Sequence, residues 1–215
     1  MLRDVIYNEI FTVLIIIGLI FIASAKLLFP KRFNEFVLVL GNSKYLKIYS
    51  REQKFLDMFD GLLFVNLIIS ISVFVFLVYQ KFVDNMNPSV GLLFKLIFGL
   101  AVFILIKVLI ERLVGSLFEI DSLIDHYLFQ KISYKNLIGI ILIPINALLI
   151  YSLDSNKIAI FIIIGLLFAI SIIGLITSIK SYQSLIKNNL FYFILYLCAL
   201  EIAPYLVLYK VISAY

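Results

Sequence analysis

Six stretches of this chain are each long and apolar enough to cross a lipid bilayer, and they leave little sequence for anything else. A spanning helix needs about 20 mainly apolar residues. Ile10 to Leu28, Leu62 to Tyr79, Val90 to Leu113, Leu137 to Leu153, Ile158 to Ile179 and Leu190 to Val211 fit that demand. With 64% hydrophobic and 14% charged residues, the chain lies far from the soluble balance of about half apolar and a quarter charged. The spans and short connections use nearly all of its 215 residues, which leaves no room for a separate catalytic domain. The expected class is an all-α integral membrane protein with six transmembrane helices, forming a single domain over residues 1–215.

The basic residues orient it. Arg3, Lys81, Lys157 and Lys210 fall on one side of these spans, whereas Lys26, Lys31, Arg32, Lys44, Lys47, Arg51, Lys54, Arg112, Lys131, Lys135, Lys180 and Lys187 fall on the other. The positive-inside rule makes the second side cytoplasmic and puts both termini in the periplasm of an inner (cytoplasmic) membrane. Because the Lys and Arg side chains sit between apolar runs, the net charge of +5 speaks for lipid headgroups and against nucleic acid. Ala23-Ser24-Ala25 imitates a signal-peptidase site, but Arg3 is offset by Asp4 and Glu9 and the positive charge follows the run, so a retained helix is expected. Cys198 stands alone, so no intramolecular disulfide or thiolate cluster forms.

Two cytoplasmic segments carry amphipathic patterns. In residues 31–60, Phe33, Phe36, Val37, Leu40, Phe55, Leu56 and Phe59 alternate with charges and are broken at Gly41-Asn42-Ser43, which predicts two short interfacial helices. In residues 116–135, Ser116-Leu117-Phe118-Glu119 has the form of a capping box, and Leu117, Ile120, Ile124, Tyr127 and Leu128 recur at helical spacing. That pattern predicts a second surface helix on the same face.

The polar residues inside the spans are the candidate functional centre. Glu201 lies near the middle of the last run, where a charge costs roughly 2.5 to 3.5 kcal/mol and demands a partner. Asn146 in the fourth span and Lys95 and Lys107 in the third are the candidate partners, and Pro144 and Pro204 free nearby backbone carbonyls by interrupting their helices. A structural polar lock between helices, a proton or ion path, and a docking point for another subunit's helix all fit these residues. Gly165 with Ala169, and Gly174 with Ser178, are small pairs four apart that permit close helix packing. Glu119, Asp121, Asp125 and His126 resemble a metal cluster in composition only. Asp121 and Asp125 share a helix face, His126 points about 100° away, and no second histidine exists. No catalytic or phosphate-binding motif is present, so neither a metal nor another cofactor is expected.

The last span, Phe193-Ile194-Leu195-Tyr196-Leu197-Cys198-Ala199-Leu200-Glu201-Ile202-Ala203-Pro204, together with Ile138-Gly139-Ile140-Ile141-Leu142-Ile143-Pro144, resembles a family of polytopic membrane proteins of Bacteroidota known as domain of unknown function 4271. The resemblance implies an inner-membrane protein without an assigned activity and supplies no catalytic residue. The expected role is a noncatalytic subunit or assembly factor of a cell-envelope or protein-export complex, with the bilayer and other integral membrane subunits as partners. A small transporter or channel using Glu201 is the alternative, and a membrane-embedded enzyme is disfavoured. Topology reporters at Tyr215 and between Lys44 and Lys54 should read periplasmic and cytoplasmic respectively; a cytoplasmic carboxy terminus would mean that one span is misassigned.

Overall fold

The computed structural model describes residues 5–41, 44–50, 57–82, 90–118, 120–152, 157–181 and 210. Regular structure among them is entirely helical: α1 (Val5–Leu28), α2 (Pro30–Val37) running into a 3-10 turn at Leu38–Leu40, α3 (Lys44–Tyr49), α4 (Met58–Phe82), α5 (Val90–Leu117), α6 (Asp121–Tyr151) and α7 (Lys157–Ser181). Five stretches, Glu9–Leu28, Met58–Phe82, Val90–Leu117, Ile124–Tyr151 and Lys157–Thr177, are long and apolar enough to cross a membrane, as expected of a membrane protein. The sixth expected span, residues 190–211, lies outside the described residues apart from Lys210.

The long helices divide into a buried pair and an outer set. About half of the apolar window of α4 and α6 is buried, 56% and 50%, against 17%, 11% and 17% for α1, α5 and α7. Helix α4 packs most extensively on α6 and α1, and α6 also carries α5 and α7. Contacts at the helix ends fix an alternating arrangement. The Thr12 and Tyr151 hydroxyls meet where α1 begins and α6 ends. Phe82 at the end of α4 meets Phe161 near the start of α7 edge-on, with ring centroids 5.6 Å apart. The opposite end of the bundle gathers α2, α3, the start of α4 and the α5–α6 turn.

Two expectations at that end need correction. No separate surface helix spans residues 116–135: α5 continues through Ser116 to Leu117, and α6 runs unbroken from Asp121 to Tyr151. The capping box is not used, since Ile120 is the N-cap and makes no side-chain cap hydrogen bond. No Gly or Pro interrupts α6 before Gly139, so one continuous helix is cheaper than a break, and the apolar face expected to meet lipid is turned inward, with Ile120, Ile124, Tyr127 and Leu128 buried. The short helices α2 and α3 do form, but their main apolar face is also internal, with Phe33, Phe36, Val39, Tyr45 and Leu46 buried in the protein core. Among the described apolar residues of α2, the 3-10 turn and α3, Val37, Leu38, Leu40 and Ile48 remain exposed.

Close approach of α4 and α6 depends on Gly139. A Cβ there would lie 2.7 Å from Leu67 Cα and 3.0 Å from Leu67 Cβ, closer than real side chains come. In a bilayer, lipid tails are as apolar as Leu, so helices associate through van der Waals fit and hydrogen bonds, and small residues at crossings matter. Gly139→Ala should therefore force α4 and α6 apart and lower stability by about 1 to 3 kcal/mol. Gly165→Ala is the control: among the described residues no neighbouring atom lies within 4 Å of the added Cβ, and alanine is the better helix former. Thermal unfolding in detergent should separate the two variants, and equal behaviour would contradict the packing.

Candidate functional site

Three polar centres are built into the described helices, and they sit at different levels. The first lies between α4 and α6 within the apolar layer. Asn146 is almost fully buried, and its amide nitrogen donates to the Ser70 carbonyl at 2.9 Å. One turn earlier on α4, the Ser70 hydroxyl donates to Asn66 Oδ1 at 3.4 Å. Helix α1 closes this seam because Gly18 brings its backbone against Asn66 and Ile143. Such hydrogen bonds hold helices together where water is absent. Pro144 sits in this stretch of α6, on its exposed side, without ending the helix.

The second centre joins α5 to α6. Glu111 is completely buried, and Lys131 Nζ donates to both of its carboxylate oxygens, at 2.6 and 2.8 Å. Lys107, one turn before Glu111 on α5, adds its ammonium at 3.9 Å. Lys131 also lies over the Tyr127 ring, 5.7 Å from its centroid. A buried carboxylate held between cations in this way is neutralised where it stands.

The third centre docks α2 and α3 onto the bundle. Arg32 on α2 pairs with Asp57 and, through Nη2 at 2.8 Å, with Asp60. Its guanidinium lies between two aromatic faces, 5.0 Å from the Tyr49 centroid and 4.6 Å from that of Phe59. Tyr45 on α3 stacks on Phe129 of α6 with ring centroids 5.6 Å apart and meets Phe36 edge-on. Burial pushes the Tyr45 hydroxyl up and the Asp60 charge adds to that, so it stays neutral. Burial alone would lower the Arg32 guanidinium, but Tyr45, Asp60 and Asp57 outweigh it and the group is raised. The planar Arg fork, lying over aromatic rings and bridging two carboxylates, suits this position in a way Lys would not.

The described members of the expected centre lie apart. Asn146 belongs to the first site and Lys107 to the second. Fifteen residues of α6 separate Asn146 from Lys131, about 22 Å along the axis. Lys95 is exposed on α5, about 18 Å along the helix from Lys107. Glu201 and Pro204 lie outside the described residues. Gly174 lies against the Tyr134 ring, where a Cβ would come within 2.9 Å, while Gly165 and Ala169 are exposed on α7. The side chain of Ser178 is outside the described residues. Of the acidic cluster near the α5–α6 turn, Asp125 reaches Arg112 at 3.7 Å. Among the described residues no group of three metal-ligating side chains occurs.

Sequence reasoning missed Glu111, Lys131, Asn66 and the Arg32–Asp60 pair. Lys107 and Glu111 stand four apart, a spacing that already favours an ion pair on one helix face. Lys131→Leu or Glu111→Leu alone should cost about 3 to 5 kcal/mol, because each strands a buried charge. The double variant should cost clearly less than the two singles together. Additive losses in a thermal or denaturant series would show that the pair is not coupled.

A family model described as Domain of unknown function (DUF4271) matches residues 11–212, nearly the whole chain. No curated protein and no solved structure matches.

Proposed function

The chain belongs to the DUF4271 family, and on that footing we propose that it is a noncatalytic integral subunit or assembly factor of a larger inner-membrane complex, serving the cell envelope or protein export. The observation that carries this reading is how the helices divide their surfaces. The charged groups of the second and third centres are spent on joining helices of this chain to each other, while α1, α5 and α7 present aliphatic and aromatic side chains outward, among them Ile16, Ile20, Phe98, Leu113, Phe161 and Phe168. A protein whose buried polarity is internal and whose outer helices are apolar is suited to stand in lipid and to pack beside other membrane helices. In the proposed orientation six spans cross the membrane, both termini are periplasmic, and the α2–α3 cap faces the cytoplasm. Supporting that orientation, Lys31, Arg32, Lys44, Arg112 and Lys131 lie on the elements gathered at the cap end of the bundle.

Purification from native membranes in mild detergent is the test. The expected result is recovery with integral membrane partners in fixed stoichiometry. Recovery as a solitary protein that moves a solute or ion in proteoliposomes, with transport lost in Glu201→Gln, would replace this reading by the transporter one.

A further inference from the structure

Under the α2–α3 cap, the buried Asp60 Oδ1 and Asn136 Oδ1 have no hydrogen-bond partner among the described residues, and Arg32 Nε and Tyr45 OH make no hydrogen bond of good geometry, although Arg32 and Ser133 lie close enough to Tyr45 to interact with it. They come from α2, α3, α4 and α6 and meet in one place. Arg32 holds Asp60 Oδ2, Asn136 Nδ2 donates to the Asp60 backbone carbonyl at 3.4 Å, and Tyr45 lies within the fields of both Arg32 and Asp60. One orphaned buried group costs about 1 to 3 kcal/mol, so several gathered in one place are a sizeable fraction of a normal folding stability. Their chemistry is mixed. Arg32 Nε only donates, the Asn136 and ionised Asp60 oxygens only accept, and the Tyr45 hydroxyl does either. Water satisfies a set of that kind, since each molecule both gives and takes hydrogen bonds.

Charge adds a second requirement. The groups facing Asp60 are Arg32 from α2, Asp57 just before α4, the neutral Tyr45 from α3, and the neutral Asn136 from α6, with Ser133 one turn away. Among the described residues one guanidinium therefore faces two carboxylates, so their charges do not balance where solvent is scarce. Asp57 is the more open of the two, 26% exposed against 12% for Asp60, so relief is needed at Asp60. Oδ2 of Asp60 already accepts from Arg32, which leaves Oδ1 as the basic atom.

We propose that the polar cluster beneath the cap is hydrated and binds one exchangeable proton on Asp60 Oδ1. Water reaching the cluster delivers the proton and takes it back. Protonation turns Oδ1 from acceptor to donor, toward Asn136 Oδ1 or an intervening water, and leaves the Arg32 charge shared mainly with Asp57. The α2–α3 cap is thereby joined to the bundle through a group whose charge follows the pH on that side of the protein. This site is independent of whether the chain serves as a complex subunit.

The test uses the full chain in detergent or nanodiscs. Infrared difference spectra between about pH 9 and about pH 6, a range in which ordinary Asp and Glu stay ionised, should contain a protonated-carboxyl band, shifted in heavy water, that is absent from Asp60→Asn and retained in Asp57→Asn. Hydroxyl-radical labelling should modify Tyr45 even though its side chain has no exposed surface. Labelling and the first spectrum are read on the unaltered protein, so they stand even where Asp60→Asn does not fold. An unlabelled Tyr45, the absence of such a band from the unaltered protein, or a band that survives in folded Asp60→Asn would each overturn the proposal.

Discussion

The bundle depends on how closely α4 and α6 approach each other. Neither helix gains from leaving lipid for protein in the way a soluble helix gains from leaving water. What holds them is contact: Gly139 lets α6 lie on the Leu67 backbone, Asn146 reaches the Ser70 carbonyl, and Asn136 reaches that of Asp60. A wider spacing would break all three. Helix α1 then fits over the seam at Gly18, and α5 and α7 attach to α6.

Charge is arranged around this axis rather than along it. The Glu111–Lys131 pair ties α5 to α6, and the Arg32–Asp60 pair ties α2 to the start of α4. Both lie toward the end of the bundle where α2, α3 and the α5–α6 turn gather. The seam within the apolar layer is made of neutral amides and hydroxyls instead. That division follows from cost, because an ionised group is far more expensive than an amide where nothing else can solvate it.

The apolar runs are plain in the sequence, since length and hydropathy are local properties, and five of them fall on the long helices α1, α4, α5, α6 and α7, although α6 begins well before the fourth run. The partners of the polar residues are not. Depth alone makes Lys107 a candidate partner for Glu201, which lies outside the described residues, and depth gives no hint that its ammonium also lies near Glu111 on its own helix. Asn66 and Ser70 passed unnoticed because one amide and one hydroxyl in a long apolar run carry no signal until a facing helix is known. The surface-helix expectation for residues 116–135 failed for a related reason. An amphipathic stripe says that one face is to be buried, and it does not say whether lipid or protein buries it.

Cysteine cross-linking tests the α4–α6 contact most directly. In a background with Cys198→Ser, Leu67→Cys and Gly139→Cys place two thiols on β-carbons about 3.0 Å apart before relaxation, within an ångström or so of disulfide spacing at about 3.8 Å. Mild oxidation in native membranes should close an intramolecular disulfide between them, while Leu67→Cys paired with Gly165→Cys should stay reduced. Rapid closure of the second pair with none of the first would contradict the account, because α4 would then face α7 in place of α6.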